Sequence, residues 1–564
     1  MNDESSNEQL KPCVDLYLRP DIQELIRSNQ EPSPSVLDEI SSRLQVIHQG
    51  ELLEELEQEA RAYGSILHPI RKIPTEVLFN ILGTVAMPQL GKSLPETYLP
   101  RAMINSLEPM RTLLAITQVC SRWREIMLSS PQFWSYISLI TTNTIDWEDS
   151  ESVMYDLLDQ QLERSQNHPL TVAIEFRKSE GFLDPHIATP MSPLNNLMGH
   201  SERWERLFVK NTRLFEFIPI KSTLLSLRVL HISIRGDQIM SLFAPSSPGW
   251  QKCVDVFKVA PVLEEIWLKC PPNLVPELPW TQILRFRLKP THNSGSTLSF
   301  LNKMSNLTSC ILDDTAPHAM ETSLQFAPPS YRVKLHSLQS LTFNIFNNLE
   351  PDMQRGIYQV LGWISAPALE SLDFSGVELD QDFLDAFAWS MQNSCSSSRL
   401  QKFRLATRRS SPALLVNFLQ ILPPTVTHLS LKFNTKYYDA GHSGNVMFQA
   451  LRIRSPESSS YVLLPHLETL CVHTNGYTAD LLDMLESRLQ SNLNSTVADP
   501  TSSTNVLPLK NCAIKGRDAA GGNLISETQA NALRAGGLHL EIVLHPLPGP
   551  LDSESLIISD VRGF

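Results

Sequence analysis

The sequence predicts an α+β protein in which an all-α helical N-terminal region is followed by an irregular α/β repeat solenoid. Two observations lead to this fold class. Apolar residues recur every three or four positions through much of residues 35–140, which is the spacing of amphipathic helices. From residue 204 onwards a short apolar motif returns ten times, which indicates a repeat array. The 564 residues suffice for several domains or for one long repeat body.

The charge balance is acidic, with 60 Asp and Glu against 47 Lys and Arg and a net charge of -13. We expect no nucleic-acid partner and no anionic membrane partner, because both require a basic face. The sequence has no run of roughly 18 apolar residues, so we also expect no transmembrane helix. The polar, acidic N-terminus lacks the basic start and apolar stretch of a signal peptide, which favours an intracellular protein of the cytoplasm or nucleus.

Motifs of catalysis and cofactor binding are missing from the sequence. The 8 cysteines form no C-x-x-C pair and do not stand at zinc-ligand spacing with histidines, so buried, reduced thiols are expected. Glycine-rich phosphate loops, H-E-x-x-H and G-x-S-x-G are also missing. We therefore expect no metal, no cofactor and no enzymatic activity; a catalytic site assembled from distant residues stays an open alternative.

Residues 1–67 are acidic, with 14 acidic and 5 basic side chains. Residues 1–34 are polar and end in a proline pair, and we expect them to be disordered. Residues 35–67 have apolar positions three and four apart on both sides of Gly50, which predicts one amphipathic helix or two helices broken near that glycine. A short coiled coil is the alternative.

Residues 68–140 contain two predicted helices separated by a proline-rich loop over residues 87–109. Pro74 suits the first turn of the first helix, where its missing N–H would be unpaired in any case. The apolar face of that helix comprises Leu78, Ile81, Leu82 and Val85. The second helix has a wider stripe, made up of Leu113, Ile116, Cys120, Trp123 and Met127. Because so short a unit cannot cover both faces, we expect an apolar patch that is buried on another chain.

This segment resembles an F-box. The resemblance rests on I-P-T-E-V-L-F-N-I-L from Ile73 and on Q-V-C-S-R-W-R-E-I-M-L-S-S-P-Q-F-W-S from Gln118. The usual Leu-Pro is Ile73-Pro74 here, and the spacer is longer than in a compact F-box. More narrowly, the acidic leader before H-P-I-R-K-I-P-T-E resembles the large basidiomycete F-box proteins.

The resemblance implies a trihelical F-box that docks on the Skp adaptor of a cullin-RING (SCF) ubiquitin ligase. The docking residues that it implies are Ile73, Pro74, Leu78, Ile81, Leu82, Val119, Cys120 and Trp123. Trp134 falls at the aromatic residue that closes the family's motif. Core packing is the alternative for each of these residues, and it is the preferred expectation for Leu113 and Ile116.

Residues 141–203 are expected to form a connecting helix and a first strand. The helical pattern of V-M-Y-D-L-L-D-Q-Q-L-E-R-S-Q ends at Asn167-His168-Pro169, and L-T-V-A-I-E-F alternates as a strand does.

Residues 204–490 have apolar residues at the first, fourth and sixth positions of each repeat unit. The units begin at residues 204, 227, 263, 283, 307, 338, 369, 400, 426 and 467. Each unit predicts a short strand, and helical stretches fill several gaps, so we expect a parallel sheet lined by helices, a leucine-rich-repeat-like solenoid. Only Asn434 and Asn475 stand at the ninth position, where a regular array has asparagine, so irregular curvature is expected. A doubly wound sheet is the alternative.

The remaining residues are expected to finish the solenoid. Residues 491–530 are rich in Ser, Thr, Asn and Gly and predict a flexible insertion. Residues 531–564 predict a closing strand, from the alternation in L-H-L-E-I-V-L, and a tail. A terminal strand of this kind covers the edge of the stack.

The resemblance implies a substrate-recognition subunit of an SCF-type ubiquitin ligase. In this interpretation the F-box docks the Skp adaptor, and the solenoid holds an unknown protein target near the ubiquitin-charged enzyme, so that the contribution of the chain is proximity. A ligase-independent interaction scaffold is the alternative. The sequence does not indicate which residues bind the target.

Overall fold

The computed structural model describes residues 19–28, 30–49, 54–86, 108–142, 147–177, 191–210, 220, 223–233, 255–270, 275–289, 294–313, 332–345, 352–394, 399–433, 440–453, 462–474, 479–495, 506–517 and 526–545. They form a mixed α/β fold that divides into two compact units, one up to Glu205 and one from Arg206 onwards. Within the described ranges, every helix is too short or too polar to span a membrane.

Three leader helices open the first unit: α1 (Pro20–Ser28), α2 (Pro34–Gln49) and α3 (Glu54–Leu67). They bury Ile22, Ile40 and Ile66 in a small apolar cluster. Of the two alternatives for residues 35–67, two helices are observed. The expectation of disorder for residues 1–34 is wrong for residues 19–28 and 30–34, because α1 obtains a buried apolar contact through Ile22; the residues before 19 lie outside the described part.

A three-helix cluster follows the leader helices. It consists of α4 (Thr75–Ala86), α5 (Glu108–Thr117) and α6 (Ser121–Leu128). The prediction of one continuous second helix is wrong, because a turn at Gln118 and Val119 separates α5 from α6. Cys120 has an extended backbone and caps α6, where its Sγ accepts a hydrogen bond from the Trp123 N–H at 3.4 Å. Residues 87–107 of the proline-rich loop lie outside the described residues.

The first unit continues with a parallel pair of strands and two helices. They are β1 (Tyr136–Thr142), α7 (Trp147–Arg164), β2 (Leu170–Arg177) and α8 (Met191–Gly199). Strand β1 pairs with β2 in the register Tyr136↔Thr171. The predicted connecting helix and the strand at L-T-V-A-I-E-F are confirmed, but that strand is the second, since β1 precedes it.

The second unit contains an open parallel sheet whose neighbouring strands follow the order of the chain. Its strands are β3 (Trp204–Lys210, which begins at the boundary of the units), β4 (Val229–Ser233), β5 (Glu265–Lys269), β6 (Arg285–Leu288), β7 (Ser309–Asp313), β9 (Ser340–Asn344), β11 (Ser371–Leu379), β12 (Lys402–Ser410), β13 (His428–Phe433), β14 (Thr469–Thr474), β15 (Asn511–Arg517) and β16 (His539–His545). A separate parallel pair is formed by β8 (Val333–Lys334) and β10 (Ile364–Ser365). Each of the ten predicted repeat units contains one of these strands.

Seven helices are described in the second unit. They are α9 (Ser294–Asn302), α10 (Asp352–Trp363), α11 (Gln381–Ser394), α12 (Pro412–Ile421), α13 (Ala440–Leu451), α14 (Ala479–Ser495) and α15 (Glu527–Ala535). The fourth and sixth residues of the repeat units are buried. Phe374, for example, packs against Phe383 of α11 with ring centroids 5.1 Å apart. The third, fifth and seventh residues alternate with them and therefore lie on the other side of the sheet, which we call the polar face.

The prediction of a flexible insertion over residues 491–530 is wrong for residues 506–517. Strand β15 lies there between β14 and β16 and buries Cys512, Ala513 and Ile514. Its unit, L-K-N-C-A-I, has Leu509, Cys512 and Ile514 at the first, fourth and sixth positions, so it is a further copy of the same pattern. The predicted closing strand is confirmed as β16.

Candidate functional site

The inner side of the three-helix cluster is a compact apolar core. Leu78, Leu82 and Ala86 lie on successive turns of α4 and are buried, together with Leu113 and Ile116 of α5. Ile126 and Met127 of α6 complete the core. The expectation that Leu113 and Ile116 are core residues is confirmed. Leu78 and Leu82 belong to the same core, so in this conformation they are covered by the chain's own residues.

A neighbouring side of α4 carries an exposed apolar row. Val77, Ile81 and Val85, which we call the outer row, are 48%, 44% and 60% exposed. Residues four apart on a helix lie on one side, so the three side chains form a continuous strip. Val119, in the turn between α5 and α6, is 58% exposed. Large apolar side chains in such an arrangement are typical of a surface that another molecule covers.

Two aromatic residues close the cluster at a 3-10 turn over Pro131–Trp134. Trp134 is fully buried, and its indole N–H donates to the Met127 carbonyl at 2.8 Å. The Arg164 guanidinium lies 4.5 Å from the centre of the Trp134 ring. The ring of Phe133 lies against α4 at Gly83, where an added Cβ would stand 3.3 Å from its Cε1. The contact of Phe133 with Gly83 holds α4 in place and thereby fixes the direction of the outer row.

Trp123 and Cys120 have structural contacts within the cluster. The Trp123 ring is partly buried and packs on the apolar core, while its indole nitrogen is buried without a hydrogen-bond partner. The predicted stripe that continues through Cys120 and Trp123 on one helix is wrong, because Val119 and Cys120 precede α6. Trp123 therefore faces the core, whereas Val119 faces solvent.

The segment that enters α4 is held by two arginines. The Arg122 guanidinium donates to the carbonyls of Arg71 at 2.9 Å and Ile73 at 2.7 Å. The buried Arg71 guanidinium donates to the Leu25 and Gln30 carbonyls and so ties the end of α1 to the cluster. Burial lowers the pKa of Arg71 from its usual value. Ile73 is partly buried and Pro74 is exposed at this point.

A cleft of about 600 Å³ lies between the end of α1 and this segment. Charged side chains from both sides line it, including Glu31, Lys72, Glu76 and Glu125. In the part of the chain that the structure describes, no group of three His, Cys, Asp or Glu residues is placed to hold a metal ion. The cleft therefore places charged side chains next to Pro74, which directly precedes α4 and its outer row.

The polar face of the second unit contains a row of aromatic rings at the fifth repeat position. Phe208, His231 and Trp267 stand on neighbouring strands, with ring centroids 4.5 Å and 5.0 Å apart and edge-to-face geometry. Burial lowers the pKa of His231, which favours the neutral imidazole. The rings continue toward the Arg287 guanidinium, which lies 5.6 Å from the Trp267 ring.

Ion pairs surround these rings. Arg285 donates to Glu265 and Glu264, both at 2.9 Å. Contact with His231, and then with Arg285, lowers the pKa of Glu265 to about 2. Arg287 donates to Asp313 at 2.7 Å, and the Asn344 amide donates to the other oxygen of Asp313 at 2.8 Å. The sequence analysis assigned no function to these residues, although the repeat pattern places all of them except Glu264 on the side opposite the apolar positions.

No protein-family model matches this chain, and no curated protein matches it either. Two surfaces are therefore the basis for a functional conclusion. One is the apolar outer row with Val119 in the first unit, and the other is the charged and aromatic polar face in the second.

Proposed function

We propose that this chain is the substrate-recognition subunit of an SCF-type (Skp–cullin–F-box) ubiquitin ligase. The outer row carries the proposal, because three large apolar side chains on successive turns of α4 are exposed on a cluster whose core is already filled. Burial of this strip on an adaptor would remove apolar surface from water at roughly 25 cal/mol per Å². The F-box resemblance of the same residues indicates that this adaptor is a Skp protein.

The burial pattern divides the eight residues that the resemblance implies. Pro74, Ile81 and Val119 are exposed and are proposed to contact the adaptor directly. Ile73, Cys120 and Trp123 are partly covered, whereas Leu78 and Leu82 are buried and position the surface from beneath. Val77 and Val85 join the proposed contact surface, because they share the exposed side of α4 with Ile81.

The second unit is proposed to be an irregular leucine-rich-repeat-like solenoid that holds the target protein. The support is a parallel sheet in chain order, with apolar first, fourth and sixth positions repeated from unit to unit. Repeats of this kind stack on their neighbours and expose one row of strand side chains for binding. The chain itself would perform no bond chemistry; it would raise the effective concentration of a target lysine near the activated ubiquitin.

Co-expression of the full chain with a Skp adaptor tests the proposal. The wild type should purify with the adaptor at near one-to-one ratio. Val77→Glu and Ile81→Glu should each weaken the complex by about 30-fold or more, since a charge placed in an apolar interface costs roughly 2 kcal/mol or more. Both side chains point to solvent, so circular dichroism should show an unchanged fold.

Val46→Glu is the matched control, because Val46 is 63% exposed on helix α2. This variant should retain the adaptor. Undiminished adaptor binding by folded Val77→Glu and Ile81→Glu variants would refute the docking surface. A wild-type chain that purifies with other proteins but never with the adaptor would favour the ligase-independent scaffold.

A further inference from the structure

We propose that leader helix α1 is energetically coupled to the adaptor-docking surface, and that Arg71 is the positioning residue that couples them. The inference rests on the proposed function, because it states how that same docking surface is controlled. It is carried by a polar joint that connects the leader helices with the three-helix cluster in the first unit.

The leader helices and the three-helix cluster have separate apolar cores. Ile22 of α1 is buried together with Ile40 and Ile66 of the other two leader helices. The described members of the other core all come from residues 73–134. Since neither core includes a residue of the other, polar contacts provide much of the connection between α1 and the three-helix cluster.

Hydrogen bonds join the end of α1 to the segment before α4 and to α6. The Arg71 guanidinium donates to the Leu25 carbonyl and, at 3.4 Å, to the Gln30 carbonyl. The Ser121 hydroxyl, at the start of α6, donates to the Arg27 carbonyl at 3.1 Å. Arg71 is only 3% exposed. If α1 leaves, its buried charge loses these acceptors, so the turn that carries Arg71 must rearrange toward water.

Arg71 lies three residues before Pro74, where the proposed contact surface begins. Its own carbonyl accepts from the Arg122 guanidinium of α6 at 2.9 Å. Arg71 is thus held through its side chain by α1 and through its backbone by α6. The Pro74 carbonyl in turn accepts from the Leu78 N–H at 2.9 Å, in the first turn of α4. A rearrangement at Arg71 therefore displaces Pro74 and loosens the turn that carries Val77.

The cleft of about 600 Å³ beside this segment shows that water reaches the joint. Glu31, Glu76 and Glu125 line the cleft and are exposed. A helix held mainly by polar contacts at a hydrated boundary opens at a smaller free-energy cost than one packed into a core. We therefore infer two states, in which α1 is seated on Arg71 or released, and only the seated state holds Pro74 and Val77 in place.

The coupling acts in both directions. If the adaptor binds the seated state more tightly, seating of α1 raises the adaptor affinity, and adaptor binding stabilises the seated α1 by the same factor. When the seated fraction falls to about one tenth, the apparent affinity falls about 10-fold, equal to about 1.4 kcal/mol. A residue that only stabilises the fold would not transmit adaptor binding to α1.

Adaptor affinity of full-length variants, measured by biolayer interferometry, tests the coupling. Arg71→Met removes the donor and should weaken the complex about 10-fold, whereas Arg71→Lys keeps a charged donor and should recover part of this loss. Ser121→Ala removes the second contact and should weaken the complex about 2-fold. Glu24→Ala is the matched control, because Glu24 is exposed on α1, and it should bind as the wild type does. Undiminished binding by Arg71→Met would overturn the inference.

A double-mutant cycle separates coupling from general destabilisation. Ile22→Asp places a charge in the leader core and unseats α1 without changing Arg71, so it should also weaken the adaptor complex about 10-fold. If both changes act through one joint, the combined variant should bind about as weakly as either single variant. A loss of about 100-fold in the combined variant would show independent effects and overturn the inference.

Hydrogen exchange gives a readout that does not depend on affinity. Helix α1 has nine residues and is too short to be stable alone, so its amide protection reports seating. Saturating adaptor should raise this protection in the wild type but not in Arg71→Met. In the chain alone, Arg71→Met should speed exchange at Leu78 and leave the amides of α5 unchanged, which also shows that the cluster is folded. Equal protection of α1 by the adaptor in both proteins would overturn the inference.

The two proposals fail in different ways. A wild-type chain that binds no adaptor would contradict the proposed function. A wild-type chain and an Arg71→Met variant that bind the adaptor equally well would contradict only the coupling.

Discussion

Arg488 is a fully buried cation whose removal tests how the solenoid end is held together. It lies on α14, and its guanidinium donates to the carbonyls of Leu451 at 2.9 Å, Leu464 at 3.1 Å and Leu463 at 2.8 Å. Leu464 has a positive φ of 51°, so its carbonyl stands in a backbone conformation that needs support. One side chain thus joins three segments of the chain.

The effect of Arg488→Met follows from two opposing terms. Three hydrogen bonds from a charged donor to carbonyls contribute about 1.5–3 kcal/mol each, so their loss costs roughly 4–9 kcal/mol. Burial lowers the pKa of Arg488 from 12.5 to about 10. At about 1.4 kcal/mol per pKa unit, removal of the buried charge therefore stabilises the folded state by about 3 kcal/mol. We expect the free energy of unfolding to fall by about 4 kcal/mol, a large part of the roughly 5–15 kcal/mol of a typical domain.

Urea unfolding measures this loss. Limited proteolysis within residues 440–495 serves as the readout, so that the measurement reports on the second unit. Arg488→Lys should be nearly as destabilising, because an ammonium group keeps the charge but does not reproduce the geometry of the guanidinium. Arg452→Met is the matched control: Arg452 is half exposed and pairs with Asp483 at 3.1 Å, so its replacement should cost less than about 1 kcal/mol. An Arg488→Met variant as stable as the Arg452→Met variant would refute the reasoning.

Two further predictions concern the central strand β11. Gly376 has a φ of +81°, and an added Cβ would stand 2.1 Å from the Ile345 carbonyl oxygen, so Gly376→Ala should lower the free energy of unfolding by about 2 kcal/mol or more; an unchanged urea midpoint would contradict this. Burial raises the pKa of Asp373 from 3.8 to about 6, against the influence of Arg404. The folded state therefore takes up the proton first, and stability should rise as pH falls from about 6 toward 4. Asp373→Asn should remove this rise and stabilise the protein at pH above 7 by about 1 kcal/mol or more; an identical pH profile of unfolding in the variant and the wild type would show that Asp373 is not the group responsible.

The strands of the second unit could be predicted because one side of the sheet is buried, so that apolar residues alternate with polar ones along each strand. Leu341 and Phe343, for example, are buried on the helix side, as the fourth and sixth positions require. Strand β15 was missed although Leu509, Cys512 and Ile514 follow the same pattern. The polar residues around them resemble a linker in composition, and composition outweighed periodicity in that prediction.

The helix break at Cys120 was not predictable from spacing. Ile116, Cys120 and Trp123 keep intervals of three and four through the turn, so the apolar stripe continues while the backbone does not. The signal that was available is the residue type at the cap, since a cysteine with an extended backbone accepts the Trp123 N–H as a serine would. The tertiary contacts of α5 and α6 decide where the helix ends.

The direction of the proposed docking surface was also decided by tertiary contacts. Leu78, Ile81, Leu82 and Val85 form one wide apolar stripe in the sequence, and either half of it can face the core. Phe133 packs against α4 beside Gly83, and α5 covers Leu78 and Leu82, which turns Ile81 and Val85 to solvent. Residues far along the chain thus determine which half is left for a partner.

The two proposed surfaces differ in the physical kind of contact that they offer, and the difference suits the proposed function. The outer row is apolar, and burial of apolar surface is little affected by salt and gives slow dissociation when the fit is close. The polar face is charged, so it favours fast encounter and a binding strength that depends on salt. In the proposed function, each target has to be released after modification, whereas the adaptor contact does not have to break with it. An apolar surface proposed for the adaptor and a charged surface proposed for the target would meet these two requirements separately.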